Sequence, residues 1–171
     1  MARFDTSGLD DLVREMRRMG QDSGAVAEAM VQAAAIEIRD AWKETAEEYG
    51  LRDTGEMIES IGFKGPVQNI GGALAQDIYP QGVDDKGVRN VEKAFFLHYG
   101  TSSTRVREKD SQSTGGLKPT YWVDDADDKS GPKVQERLEA MWGEFLQTGR
   151  VPTVIDTGGG AKGSGMNKTI K

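Results

Sequence analysis

The chain has 171 residues, 36% of them apolar, with 22 glycines, no cysteine and a formal net charge of −6. That length suits one domain with a real core, and the absence of cysteine excludes disulfides, thiolate catalysis and thiolate metal sites. The acidic excess is uneven. Up to Ser60 there are 7 basic and 14 acidic residues, whereas Ile61 to Thr120 carries 8 and 6. A broad basic stripe for nucleic acid is therefore missing, although a local basic loop stays open. No apolar run approaches ~18–20 residues and no basic-then-apolar leader opens the chain. A protein that stays in the cytoplasm of the cell that makes it, off the membrane, is expected.

Leu9, Leu12, Val13, Met16 and Met19 recur at helical spacing, which predicts a first helix that Gly20 stops. Residues 21–24 read as a connector in which Asp22 or Ser23 caps a second helix. From Ala25 to Tyr49 the chain is alanine-rich and proline-free. Val31, Ala35, Ile38, Trp42, Thr45 and Tyr49 form one stripe on a helix of about seven turns. Glu37, Lys43, Glu44 and Glu47 fall off that stripe, and Gly50 supplies a C-terminal cap.

Asp53-Thr54-Gly55-Glu56 resembles a capping box and predicts a short helix burying Met57, Ile58 and Ile61. Beyond Gly62 the pattern changes. Phe63 to Gln68, Ala73 to Tyr79 and Lys93 to Thr101 are short runs separated by Gly-, Pro- and Asp-rich turns, which favours strands. Gln81 to Asn90 reads as a hairpin loop. Residues 102–118 have almost no large apolar side chain and predict a long exposed loop. Pro119 leads through Tyr121, Trp122 and Val123 into a second strong helix, with Val134, Leu138, Met141, Trp142 and Phe145 on its apolar face and Gly149 at its end. Val151 to Ile155 suits a further strand.

The expected architecture is α+β, with a long N-terminal amphipathic helix and a C-terminal helix packed on a small antiparallel sheet. Trp42 and Trp142 are expected against one face of that sheet. Residues 1–156 form a single assembly domain, 102–118 its exposed loop, and 157–171 a flexible or assembly-ordered tail.

Chemical signals are sparse. His98 is the only histidine. At its place in an apolar strand it faces away from the core, and a structural role outweighs a hydrolase role, which needs a nucleophile and an orienting carboxylate. Asp124, Asp125, Asp127 and Asp128 lack the spacing of a calcium loop and suit the first turns of a helix, where negative charge meets the positive end of the dipole. The glycines around Lys162 lack both the order and the succeeding helix of a phosphate-binding loop. No cofactor, metal or catalytic residue is expected. The Trp and Tyr residues would serve as base-stacking platforms only beside a basic groove, and this leaves a small nucleic-acid-binding module as the alternative function.

Four pieces occur in a fixed order: the long alanine-rich helix; Thr54-Gly55 followed by Ile58, Ser60 and Ile61; Phe96-Leu97-His98-Tyr99-Gly100-Thr101; and Pro119 to Val123, with Trp122, running into the last helix. Over about Leu9 to Gln147 this resembles the neck or tail-completion family of long-tailed phages. In that family an acidic residue often precedes the final aromatic-Gly-Thr, where this chain has His98.

The resemblance implies a non-enzymatic virion protein. It would assemble in the host cytoplasm as a homo-oligomeric ring at the head–tail junction and contact neighbouring neck and tail proteins. A ring needs two different faces of each protomer to meet, through an open sheet edge or a terminal arm. Arg105, Arg107 and Lys109 in the long loop would touch DNA nonspecifically if that loop faces a lumen; a plain exposed linker is the other reading.

Overall fold

Alanine-rich, proline-free sequence favours a continuous helix, and helix α1 runs from Ser7 to Glu48, about 60 Å at 1.5 Å per residue. The computed structural model describes residues 7–51, 55–102 and 115–156. The predicted stop at Gly20 and the connector at 21–24 are corrected: both lie inside α1. A glycine in a helix costs only about 1 kcal/mol, too little to break a hydrogen-bond ladder supported on both sides. Ser23, rather than capping a new helix, returns its hydroxyl to the carbonyl of Gly20 at 2.7 Å.

Buried positions on α1 include Val26, Ala33, Ala35, Ile36, Arg39, Ala41, Thr45 and Ala46. They occupy more than one stripe because α1 is covered on one side by the last helix and on another by the short elements that come after it in the chain. Helix α2 is the four-residue turn Glu56–Glu59. Its N-cap is Gly55 at φ 88°; Asp53 of the expected capping box, and Thr54 with it, lie outside the described residues. Met57 and Ile58 are buried there as expected.

Four three-residue strands come next: β1 (Ile61–Phe63), β2 (Gln68–Ile70), β3 (Ala73–Ala75) and β4 (Ile78–Pro80). β1 pairs antiparallel with β4 and β2 with β3, so the two predicted strands are each split, as a long hairpin broken into two ribbons. Ile70 faces Ala73 across the two-residue turn Gly71-Gly72. Both glycines have positive φ, 62° and 91°, the backbone that tight hairpins twisted like their strands demand.

The segment predicted as the third strand is a helix. α3 spans Asn90–Tyr99, with Asn90, Ala94 and His98 buried at steps of four. Aromatic and apolar residues so dense fit either period, and packing on α2 and β4 selected the helical one. His98 accordingly does not face away from the core. Ahead of α3, Val83 is bridged to Arg89, but the segment joins β4 to a helix, so it is a closed loop and not the expected hairpin between two strands. Its turn is organised by Asp84, whose carboxylate accepts from the backbone N–H groups of Lys86 at 2.9 Å and Val88 at 2.7 Å.

Helix α4 covers Trp122–Thr148 and ends at Gly149 in the left-handed region, as the sequence predicts. It contains Pro132, which cannot donate to the carbonyl four residues earlier; packing along α1 carries the helix through. The two helices run antiparallel, joined by Lys129 to Glu48 and Arg137 to Glu37. Asp125 accepts from the Tyr49 hydroxyl. Asp127 accepts from Trp42 Nε1 at 2.8 Å. The aspartates therefore do more than meet the helix dipole.

The tryptophan arrangement also departs from expectation. Trp42 packs edge-on against fully buried Trp122, with centroids 5.6 Å apart. Trp142 lies beside Phe145 and is 42% exposed, so the pair does not lie on a sheet. The core gathers Ala46, Met57, Ile58, Ile61, Ala94 and Trp122. Val151 to Ile155 forms no strand. It is held instead by Asp156, which accepts two hydrogen bonds from Arg39 at 2.7 and 2.8 Å. Burial opposes the Arg39 charge, but hydrogen bonds to Asp156 and Asp40 more than offset it and raise the guanidinium pKa. Phe63 stacks under that guanidinium at 5.0 Å.

Candidate functional site: an assembly surface on helix α3

The end of α3 and the start of α4 form one joint. Helices leave their last carbonyls without partners, and here those of Phe96, Leu97 and His98 are answered. Gly100 N–H donates to Phe96 O at 2.8 Å, Thr120 N–H and hydroxyl to Leu97 O at 3.2 and 2.7 Å, and Tyr121 N–H to His98 O at 3.1 Å. Tyr121 then starts α4, its own carbonyl accepting from Asp124 N–H at 3.0 Å. It is the non-glycine residue with positive φ (53°) among the described residues, a conformation costing roughly 1–2 kcal/mol that persists because both helices fix it.

Gly100 and Thr101 make a clasp. Thr101 N–H donates to Leu117 O at 3.0 Å, and its hydroxyl oxygen accepts from Leu117 N–H at 2.9 Å. The two bonds close the chain on itself across residues 102–116. Gly100 permits this approach: a Cβ there would lie 2.6 Å from Leu117 O and 2.8 Å from Pro119 N, and its φ of 76° and ψ of −175° belong to glycine alone.

His98 is buried inside the joint. Its Nδ1 accepts from Val123 N–H at 3.4 Å, which places the proton of the neutral ring on Nε2. Nε2 lies 3.9 Å from Asp124 Oδ1. Tyr99 and Tyr121 meet the ring edge-on at 4.3 and 5.7 Å. The imidazole thus ties two helix ends together.

Outside the joint the same helix displays its aromatics. Phe95 is 57% exposed, Phe96 42% and Tyr99 58%, while Tyr121 of the joint is 51% exposed. Phe95 touches both Phe96 and Tyr99, at 6.1 and 4.8 Å between centroids. A contiguous apolar patch of this kind marks an interaction surface far more often than scattered exposed residues do.

The structure gives the residues singled out in the sequence separate roles. Ile58, Ile61 and Trp122 are core; Ser60 closes the turn of α2, its hydroxyl donating to Met57 O at 2.8 Å. Gly100 and Thr101 form the clasp, His98 the joint, and Phe96 and Tyr99 the patch. Gly55 caps α2, away from the patch. Thr54, Arg105, Arg107 and Lys109 lie outside the described residues, as does the 157–171 tail. Sequence reasoning missed Phe95, Leu117, Thr120 and Tyr121. Only Phe95 carried a signal, as part of an apolar run longer than one buried face needs.

Among the described residues, no group of three or more His, Asp or Glu side chains is arranged to hold a metal, and no helix is long and apolar enough to cross a membrane. The chain matches no protein-family model, and no curated protein or solved structure is significantly similar to it.

Proposed function

We propose that this chain is a non-enzymatic structural protein that assembles with copies of itself, as a ring subunit at the head–tail junction of a long-tailed phage. The observation that carries the assembly part is the exposed aromatic face of α3, held rigid by the clasp and joint beneath it. Water-exposed aromatics fixed on a braced helix are preorganised for a protein contact. The phage part rests on the ordered motifs: Thr-Gly before Ile58, aromatic-Gly-Thr at the end of α3, and the proline-led final helix.

The reading predicts oligomers of the purified chain by native mass spectrometry. It also predicts the protein in purified virions, and unjoined heads and tails when its gene is deleted. A chain that stays monomeric and is absent from virions sinks it. The alternative, a nucleic-acid-binding module using the same aromatics for stacking, requires retention of DNA on filters at low salt; no retention removes it.

A further inference from the structure

The strap that follows α4 has the burial of a strand without the bonding of one. Pro152 is buried and Val154 half-buried, whereas Val151, Thr153 and Ile155 are exposed. Burial at every second residue is that of an extended chain laid on a surface. Yet among the described residues Val151 to Ile155 make no hydrogen bond, and Ile155 stands 67% exposed. A segment so lightly held opens more readily than the helices it leaves.

Its fastening is at the far end. Arg39, its side chain 7% exposed, donates from both terminal nitrogens to the two oxygens of Asp156 at 2.7 and 2.8 Å, and from Nε to Asp40 at 2.7 Å. This fork-on-fork geometry is the strong, directional form of carboxylate recognition. Phe63 covers the guanidinium face. Half-buried Lys43 belongs to the same seat, its pKa lowered first by burial and then by the Arg39 charge. Without the strap, a buried guanidinium keeps only Asp40 and faces a second cation, an arrangement that buried charge resists. The seat therefore gives up one carboxylate only for another. The segment that fits it is the strap itself, and the same strap from a second copy makes the same contacts.

We propose that residues 150–156 are exchanged between copies of this chain, each strap setting its Asp156 on the Arg39 of the neighbouring copy. This rests on the assembly reading and names the contact between copies. A short linker gives a segment a millimolar effective concentration at its own seat, so an isolated copy keeps its strap. Copies packed side by side compete on equal terms. Seven extended residues reach about 25 Å at most, so only an adjacent copy can receive them. Each copy gives one strap and takes one, a heterologous contact that repeats until rotation closes it.

The test uses full chains carrying opposite reversals, Arg39→Glu and Asp156→Arg. Within either chain, positions 39 and 156 then bear like charges. Between the two chains both seats are satisfied, one by the reversed pair and one by the native pair. In native mass spectrometry the equimolar mixture should associate at least tenfold more tightly than either variant alone. The doubly reversed chain should melt above both single variants, which checks that the reversed pair fits the seat.

Arg39→Lys keeps the cation and supplies a gentler readout. Isotopically light and heavy copies of this variant are mixed where the protein is oligomeric and treated with a carbodiimide, which joins amine to carboxylate. Peptides linking position 39 to Asp156 should include light–heavy pairs, approaching half of the product. Only light–light and heavy–heavy links in an oligomeric sample would overturn the exchange. So would a reversed mixture no tighter than its components while the doubly reversed chain melts above them. If the single reversals do not fold, the isotope result decides alone. Unmixed links in a protein found in virions remove the exchange and leave the junction reading standing. Mixed links in a protein missing from virions leave the exchange and remove the junction reading. A wild type monomeric at every concentration and absent from virions removes both.

Discussion

Replacing Gly100 by Ala is the sharpest probe of the joint that supports the patch. The added Cβ would stand 2.6 Å from Leu117 O, 2.8 Å from Pro119 N and 3.1 Å from Pro119 Cδ. Backbone and ring atoms cannot rotate away as a flexible side chain can, so the chain must shift. Holding φ 76° and ψ −175° with a side chain costs about 1–3 kcal/mol. Displacing Leu117 O also breaks its bond from Thr101 N–H, worth about 1 kcal/mol. The expected loss is therefore about 2–4 kcal/mol, or roughly 5–15 °C in Tm for a chain of this size.

Gly149→Ala is the control. Its φ is also positive, 64°, but the added Cβ meets only Glu15 Oε1 at an ordinary 3.6 Å, so it should cost roughly 1–2 kcal/mol. Thermal melts of both variants, with amide exchange at Thr101 and Leu117, make the comparison. A Gly100→Ala protein that melts no lower than Gly149→Ala, with those amides still protected, refutes the clasp as the reason for this glycine.

Three further outcomes are expected. Asp156→Ala removes the paired acceptor of buried Arg39 but leaves Asp40 at 2.7 Å. Asp156 is 40% exposed, so the loss in urea denaturation should be about 1–2 kcal/mol rather than the larger cost of a fully buried pair, with faster amide exchange over residues 150–156. Trp122→Ala empties the centre of the core and should cost about 3–5 kcal/mol by the same denaturation, an outcome at odds with a merely peripheral Trp122. The Lys93 ammonium at 2.5 Å, against the opposing effect of desolvation and with help from the Val88 and Lys86 N–H groups, holds the Asp84 carboxyl below its ordinary 3.8. A depressed carboxyl contributes stability that is present above the unfolded pKa and lost as pH falls through the folded one. Melting temperature should thus drop below about pH 4 more steeply in wild type than in Asp84→Asn; parallel profiles would exclude this carboxylate as the cause.

What the sequence determined by itself are the properties written in local pattern. The stripe from Val31 to Tyr49 and the face from Val134 to Phe145 specified two long helices, because helical periodicity needs only near neighbours. Gly149 fixed a helix end, and the glycine-rich break after Ile70 fixed a hairpin turn. Ile58, Ile61, Gly100 and Thr101 were recognisable as positions of consequence.

Tertiary structure decided the rest, including the exit point at Gly100-Thr101, which leaves a helix and not a strand. Asn90 to Tyr99 is apolar enough for either period; the covering of Asn90, Ala94 and His98 made it a helix and turned Phe95, Phe96 and Tyr99 outward. Gly20 would end an isolated helix but sits inside α1. The segment from Val151 became a strap and not a strand through Arg39 and Asp156, partners 117 residues apart. No local propensity encodes such a pairing, because its free energy exists only once the two distant segments have already been brought together.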